Sequence, residues 1–325
     1  MNLFFSFLIS FLFTLYLIPL LCKIANRFNI LDVPDGAVKK HKKPIPYLGG
    51  VAIYFGFIVS LALTFPFENR MFLFLVGMTL LLFIGLIDDL IVMGAHQKLF
   101  GQIIAAFCFL KAGFYLKQTF FFNNFWNIPI SFFWILCIIN AFNLIDVMDG
   151  LATLVACCAT FSFLVLAICL NQYALSLLLT AFLGALIAFF LYNKPPAKIY
   201  LGDTGSLFIG GFLAIIPFLF SWGEYNPYGY FTPIIILAIP LLEVGTLILV
   251  RTWKGIPFYK ASPDHFSIYL QHKGWTAAKI LFYVGFLSLL LSGIAFSFFG
   301  GAFSLYEVAA ILVVFLTMWQ LALFF

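Results

Sequence analysis

Apolar runs long enough to cross a hydrocarbon core, which takes ~20 helical residues, follow one another along the chain with short polar turns between them. Eleven can be counted, at 3–21, 46–65, 71–87, 99–116, 128–143, 151–170, 173–191, 205–222, 231–250, 279–299 and 304–325. They predict an all-α polytopic membrane protein with about eleven transmembrane helices in a single domain over 1–325. The longest stretch between runs goes only from about Arg251 to Ala278. No water-soluble domain is therefore expected, and an active site has to be assembled from loops and helix ends. The first run lacks the basic start and small-residue cleavage site of a secretion signal, and basic residues follow it, so it is expected to stay as a span. Pro233 and Pro240 are expected to break or bend the ninth run and open a groove there.

Composition narrows the class further. With 64% hydrophobic and 9% charged residues, an ordinary water-exposed surface is excluded, and nothing points to nucleic acid. The cysteines (Cys22, Cys108, Cys137, Cys157, Cys158 and Cys169) lie nearly all inside apolar runs. They read as small membrane residues and not as a disulfide framework.

Charge gives an orientation. With the N-terminus outside and the C-terminus cytoplasmic, fourteen of the seventeen Lys and Arg residues fall on the inner side, leaving only Arg70, Lys111 and Lys117 outside. Cytoplasmic loops retain such an excess. The same threading puts all eight aspartates inside. Asp88, Asp89, Asp146 and Asp149 sit where helices leave the membrane and desolvation makes carboxylates costly. A divalent cation would compensate them, and magnesium in particular uses a few carboxylates together with substrate phosphates.

Four constellations carry candidate chemistry. The pair Asp88-Asp89 ends the third run; adjacent carboxylates repel, which points to a metal or to a raised proton affinity, with a solvated helix end as the bland alternative. Lys98 follows, a cation able to meet a phosphate or to anchor at the membrane surface. In Asn140, Asn143, Asp146 and Asp149, polar residues recur every three positions through an apolar stretch. They form one stripe on a helix, lining a cavity or bonding helix to helix. Around Gly202-Asp203-Thr204-Gly205-Ser206, glycines and small hydroxyls open the eighth run as a helix N-terminus that favours anions; Asp203 alone would be an N-cap. The last long inner loop, with Arg251, Lys254, Lys260, Asp264 and His265, suits a diphosphate or lipid headgroup, or is an ordinary positive-inside loop. The stretch Lys39 to Lys43, containing His41, is a second basic loop. Glu243 lines a cavity or pairs with another helix.

Together and in order, these motifs resemble the polyprenyl-phosphate N-acetylhexosamine-1-phosphate transferase family over nearly the whole chain. Asp88 and Asp89 match its paired aspartates. Asn140, Asn143, Asp146 and Asp149 match its Asn-rich aspartate motif, and Gly202, Asp203, Gly205 and Ser206 its Gly-Asp-x-Gly-Ser motif. Lys98 fits as well, as does His41 ahead of Pro46, Gly49 and Gly50. Two departures stand out. Val147 occupies a position commonly glycine, and the histidine cluster of the last inner loop is reduced to His265. That loss points away from the branch using UDP-N-acetylmuramoyl-pentapeptide and towards a simple UDP-N-acetylhexosamine, as in enzymes that start O-antigen or teichoic acid.

The resemblance implies a reaction in the cytoplasmic (inner) membrane. Undecaprenyl or another polyprenyl phosphate attacks the β-phosphorus of a UDP-sugar, releasing UMP, with magnesium as cofactor and manganese able to stand in. Asp88, Asp89, Asp146 and Asp203 are the expected catalytic residues, and Asp203, Asp88 and Asp89 the expected metal ligands. His41, Lys98, Asn140, Asn143, Asp149, Gly202, Asp264 and His265 are expected at the substrates. A homodimer is left open. An ion-coupled transporter is the rival class, since intramembrane acids also mark ion paths.

Overall fold

The computed structural model of the chain describes residues 2–32, 44–66, 69–117, 124–224, 226–257 and 262–324. The helices in chain order are α1 (Asn2–Phe28), α2 (Gly49–Thr64), α3 (Asn69–Ile91), α4 (Ala95–Lys111), α5 (Asn127–Ile145), α6 (Leu151–Cys169) and α7 (Tyr173–Asn193). They continue with α8 (Gly202–Ile215), α9 (Thr232–Ile236), α10 (Ala238–Trp253), α11 (Phe266–His272), α12 (Ala277–Phe299) and α13 (Leu305–Phe324). Each of the eleven predicted runs falls on one of these helices or, for 231–250, on the pair α9 and α10. All six cysteines are free.

Among the described residues seven helices are long and apolar enough to cross a membrane, and eight if α9 and α10 count as one span. α2 and the segment Leu305–Trp319 are apolar but shorter, and α4 has only 17 residues. The molecule is therefore an all-α polytopic membrane protein, but helix length alone does not carry the count of eleven. One element departs from the all-helical expectation: β1 (Leu31–Asp32) and β2 (Ile45–Pro46) pair antiparallel. As a result α2 begins at Gly49, three residues into the predicted run.

The ninth run is broken by 73° between α9 and α10. Pro240 has no N–H to give the carbonyl of Ile236, so the helical ladder is interrupted there. Leu237 instead closes the short α9 by donating to Pro233 O at 2.9 Å.

Exposure is distributed as a lipid solvent allows. Phe72, Phe133 and Phe282 lie on the outside at 70%, 69% and 78% exposed. α8 is the central element, buried along Thr204–Ile215 and packed on α2, α3 and α5. At its middle Phe182 of α7 stacks on Phe212 with centroids 3.8 Å apart, while Phe57 of α2 meets Phe212 edge-on at 5.3 Å. Helix association in lipid rests on such close packing more than on water exclusion. It is tightest where α3 crosses the start of α8: a Cβ on Gly85 would come within 2.4 Å of the backbone of Asp203 and Thr204. That contact brings the end of α3 and the start of α8 together, and the candidate site is built there.

Candidate active site

Four helix ends meet at one point. α3 ends with Asp88 and Asp89, the first turn of α4 carries Lys98, the last turn of α5 carries Asn143, and α8 opens with Gly202 and Asp203. The Lys98 Nζ lies 2.9 Å from Asp88 Oδ2 and 2.7 Å from Asp203 Oδ2. It also donates to Asn143 Oδ1 at 3.2 Å. The Asn143 amide donates in turn to Asp203 Oδ1 and, at 3.0 Å, to Ser206 Oγ. Asp88 is fixed independently, because its Oδ1 accepts from the backbone N–H of Met93 at 2.6 Å. The side chains of Asp88 and Lys98 are 9% and 15% exposed, whereas Asp203 keeps 32% and is the carboxylate most open to a ligand.

Asp89 does something different. Its Oδ1 accepts from Asp203 N at 2.8 Å, and its Oδ2 from Thr204 N at 3.0 Å and Thr204 Oγ1 at 2.6 Å. A carboxylate on the free N–H groups of a helix start satisfies donors that have no partner within the helix and complements the helix dipole. Gly202 makes this approach feasible: it takes φ +71, and a Cβ there would meet Asp89 Oδ2 at 2.5 Å. Both oxygens of Asp89 are thus engaged in positioning Asp203.

Asp146 follows α5 directly and has no hydrogen bond among the described residues. Burial, followed by the nearby charges of Asp203, Asp89 and Asp149, pushes its carboxyl well above the usual range. Asp149 accepts from Ala197 N at 2.9 Å, tying the α5–α6 turn to the α7–α8 turn. Asn193 completes that tie: its Oδ1 accepts from Gly150 N and Thr153 Oγ1, and its Nδ2 donates to Ile199 O. Tyr200, in the same turn, has its hydroxyl pushed up by burial and by the charges of Asp149 and Asp32. Asn140 lies outside the convergence point. It exchanges hydrogen bonds with Gln102 of α4, at 2.7 and 3.4 Å, the helix-to-helix bonding that competed with a substrate role for it.

A second polar group gathers at α10 and the start of α11. Glu243 Oε1 faces His265 Nδ1 at 3.0 Å and accepts from Phe266 N at 3.2 Å. Arg251 Nε donates to Ser262 Oγ at 2.9 Å, and Lys254 pairs with Asp264. A crevice lined by Ile145, Leu151, Ile239, Glu243, Phe266, Ser267, Val284 and Trp319 adjoins this second group; Ile145 precedes Asp146 and Phe266 follows His265. His41, with Lys39, Lys40, Lys42 and Lys43, lies outside the described residues, as does Lys260.

Sequence reasoning left Gln102 and Asn193 unassigned. Both are amides almost wholly buried in apolar helices, 1% and 3% exposed, and an intramembrane polar side chain is itself a signal of a partner.

Among the described residues no group of three or more acidic, imidazole or thiol side chains is placed to hold a metal ion. What the site offers is Asp88 Oδ2, Asp203 Oδ2 and Asn143 Oδ1 around one cationic position, with Asp146 unpartnered nearby. Such an oxygen-only, incomplete set fits a hard divalent cation that takes its other ligands from water and substrate phosphates, as magnesium does.

Comparison with known proteins bears on the same segment. Residues 71–221, which run from α3 through α8, match glycosyl transferase family 4. A probable undecaprenyl-phosphate N-acetylglucosaminyl 1-phosphate transferase of Bacillus subtilis is 30% identical over 295 residues, 87% of this chain and 82% of the relative. The undecaprenyl-phosphate alpha-N-acetylglucosaminyl 1-phosphate transferase of Escherichia coli is 25% identical over 299 residues, 87% and 80% of the two chains. A phospho-N-acetylmuramoyl-pentapeptide-transferase of Bacillus cytotoxicus is 30% identical over 322 residues, 88% and 94%.

Proposed function

Because the chain belongs to glycosyl transferase family 4, we propose that it transfers N-acetylglucosamine-1-phosphate from UDP-N-acetylglucosamine to undecaprenyl phosphate, the opening membrane step of a cell-envelope glycan. An oxygen of the lipid phosphate attacks the β-phosphorus. The bond from that phosphorus to the bridging oxygen breaks, UMP leaves, and undecaprenyl-diphospho-N-acetylglucosamine remains. The observation that carries this reading is the meeting of Asp88, Lys98, Asn143 and Asp203, from four helices, around a single cationic position.

Two anions have to approach each other, so positive charge and orientation are the main requirements. A magnesium ion bound by Asp203, with Asp88 and the Asn143 carbonyl beside it, would offset charge on the phosphates and align the displacement. Asp89 holds the start of α8 so that Asp203 points at the ligand. A phosphate monoester has a second pKa of ~6 and is largely ionised at neutral pH, so the demand on a base is small. Asp88 takes the remaining proton. Lys98 meets the donor diphosphate, with His41 as a further phosphate contact. Asp149, Asn193 and Tyr200 line the turn beside the donor.

The cytosolic donor and the bilayer-held acceptor meet at a membrane interface, and the basic-residue asymmetry supports reading this as the cytoplasmic face of the inner membrane. In that threading α2, α4 and α13 also cross, and the N-terminus is outside. A cysteine introduced by Gly94→Cys, in the α3–α4 turn, is then labelled by an impermeant thiol reagent in inverted vesicles and protected in right-side-out ones; the reverse pattern refutes the orientation.

The Bacillus cytotoxicus relative keeps the muramoyl-pentapeptide donor as the competing reading. That only His265 stands at the expected place of the histidine cluster favours the simpler sugar. Purified protein supplied with undecaprenyl phosphate, magnesium and a panel of UDP-sugars is expected to release UMP fastest from UDP-N-acetylglucosamine. A faster release from the muramoyl-pentapeptide donor overturns the assignment.

A further inference from the structure

The three oxygens around Lys98 Nζ come from three different helices: Asp88 Oδ2 at 2.9 Å, Asp203 Oδ2 at 2.7 Å and Asn143 Oδ1 at 3.2 Å. They are the same oxygens that the reading above gives to a divalent cation. Magnesium binds its ligands at about 2.0–2.1 Å, closer than an ammonium sits. Two like charges at that separation in a shielded site repel strongly. The metal and the Lys98 ammonium therefore exclude each other from this position.

The ligands do not depend on the lysine for their placement. Asp88 is also held by Met93 N, Asp203 by the Asn143 amide, and the start of α8 by Asp89. The cradle keeps its shape when the ammonium leaves. Lys98 can leave without disturbing α4, because it sits in the first turn on a flexible four-carbon stem.

We propose that Lys98 is the resident counter-ion of the cation site, displaced by the divalent metal when donor and metal arrive together, and then moves onto the donor diphosphate. This rests on the transferase reading and adds a coupling to it. A metal arriving alone leaves the ammonium with no acceptor in exchange for its three oxygens. A metal arriving with a nucleoside diphosphate supplies one. Metal and donor thus bind cooperatively, each raising the affinity for the other by the same factor.

Manganese binding to the purified protein, followed by electron paramagnetic resonance with and without UDP, reads this coupling apart from catalysis. Wild-type protein is expected to bind manganese weakly alone and about tenfold more tightly with UDP present, within the usual range of site-to-site coupling. Lys98→Met is expected to bind manganese alone about tenfold more tightly than wild type, with a smaller UDP effect than wild type shows, the part left being direct coordination by the UDP phosphates. Lys98→Arg, which keeps the charge, is expected to behave like wild type without nucleotide. Unchanged or weaker manganese binding by a folded Lys98→Met protein overturns the proposal. Should that variant show no cooperative melting transition, the wild-type titration decides: equal manganese affinity with and without UDP overturns it. UMP release by wild type is scored separately. Active wild type with no coupling sinks this inference alone, whereas wild type inactive with every donor sinks the transferase reading.

Discussion

The two polar groups of this molecule are built on opposite principles. The first group holds four carboxylates and one ammonium: Asp88 and Asp203 bind Lys98, Asp89 caps the start of α8, and Asp146 has no hydrogen-bond partner among the described residues. Around α10 and α11 each polar group has a partner: Lys254 pairs with Asp264, Glu243 bonds His265, and Arg251 donates to Ser262. The consequence shows in the proton affinities. Asp146 is pushed well above the usual range by burial and by the carboxylates around it. Burial alone would raise Asp264 too, but hydrogen bonds from Lys254 and Ser262, with the charges of Lys254 and Arg251, hold it below. The first group is electrostatically incomplete until a ligand brings positive charge. The second is complete and fixes the loop before α11. The first also lies wholly within residues 71–221, the part that matches the family, and the second lies outside it.

Substitutions that change charge in the first group should therefore act on catalysis, and those in the second on stability. Asp88→Asn is expected to lower kcat/KM for UMP release by about two to three orders of magnitude, the usual scale for one electrostatic group at a reacting centre. A loss of only a few-fold would remove the distinction between the groups. Glu243→Ala leaves His265 Nδ1 and Phe266 N–H without their buried acceptor. It is expected to cost about 1–3 kcal/mol, read as a lower melting temperature, while the molecules that remain folded keep most of their activity.

Asp146→Asn should do the opposite to stability. Because the fold raises the proton affinity of Asp146, the folded chain retains a proton that the unfolded chain releases near the ordinary value of about 3.9. Stability then falls as pH rises from that value through the raised one. Removing the carboxyl is expected to raise the melting temperature of metal-free protein at neutral pH and to flatten its pH dependence. An unchanged slope would show that Asp146 is not penalised. The smallest effect is expected of Lys254→Ala: Lys254 is 46% exposed, and Asp264, though 5% exposed, keeps Ser262 and the charge of Arg251, so the loss is expected to be about 1 kcal/mol, read as a small fall in melting temperature.

How far the sequence reached follows from what each signal encodes. Apolar run length locates helices well: each run from 3–21 to 304–325 falls on one, except 231–250, which falls on the pair α9 and α10. It does not report the direction of the chain between them. The break at Leu237 was foreshadowed by Pro240, but its 73° angle was not. Acids and amides at the ends of apolar runs pointed to Asp88 and Asn143, because such residues need partners, while Lys98 and Asp203, between the runs, stood out only through the motif resemblance; the fold joins them although they are 105 positions apart. The division of labour among them was not legible. Asp89 and Asp88 are neighbours in sequence, yet one caps α8 and the other faces Lys98. Asn140 and Asn143 lie on one stripe, yet one bonds Gln102 and the other Asp203. These differences are set by the rotation of helix against helix, which no spacing along a single segment determines.

The central claim is that the converging ends of α3, α4, α5 and α8 form one catalytic site with Asp203 at its open side. Purified wild type and Asp203→Asn, matched for amount and melting behaviour, can be incubated with radiolabelled UDP-N-acetylglucosamine, undecaprenyl phosphate and magnesium. The account predicts UMP and labelled lipid in equal amounts from wild type, and at least about a thousandfold less from Asp203→Asn. Asp203→Asn forming the lipid product at the wild-type rate would contradict it.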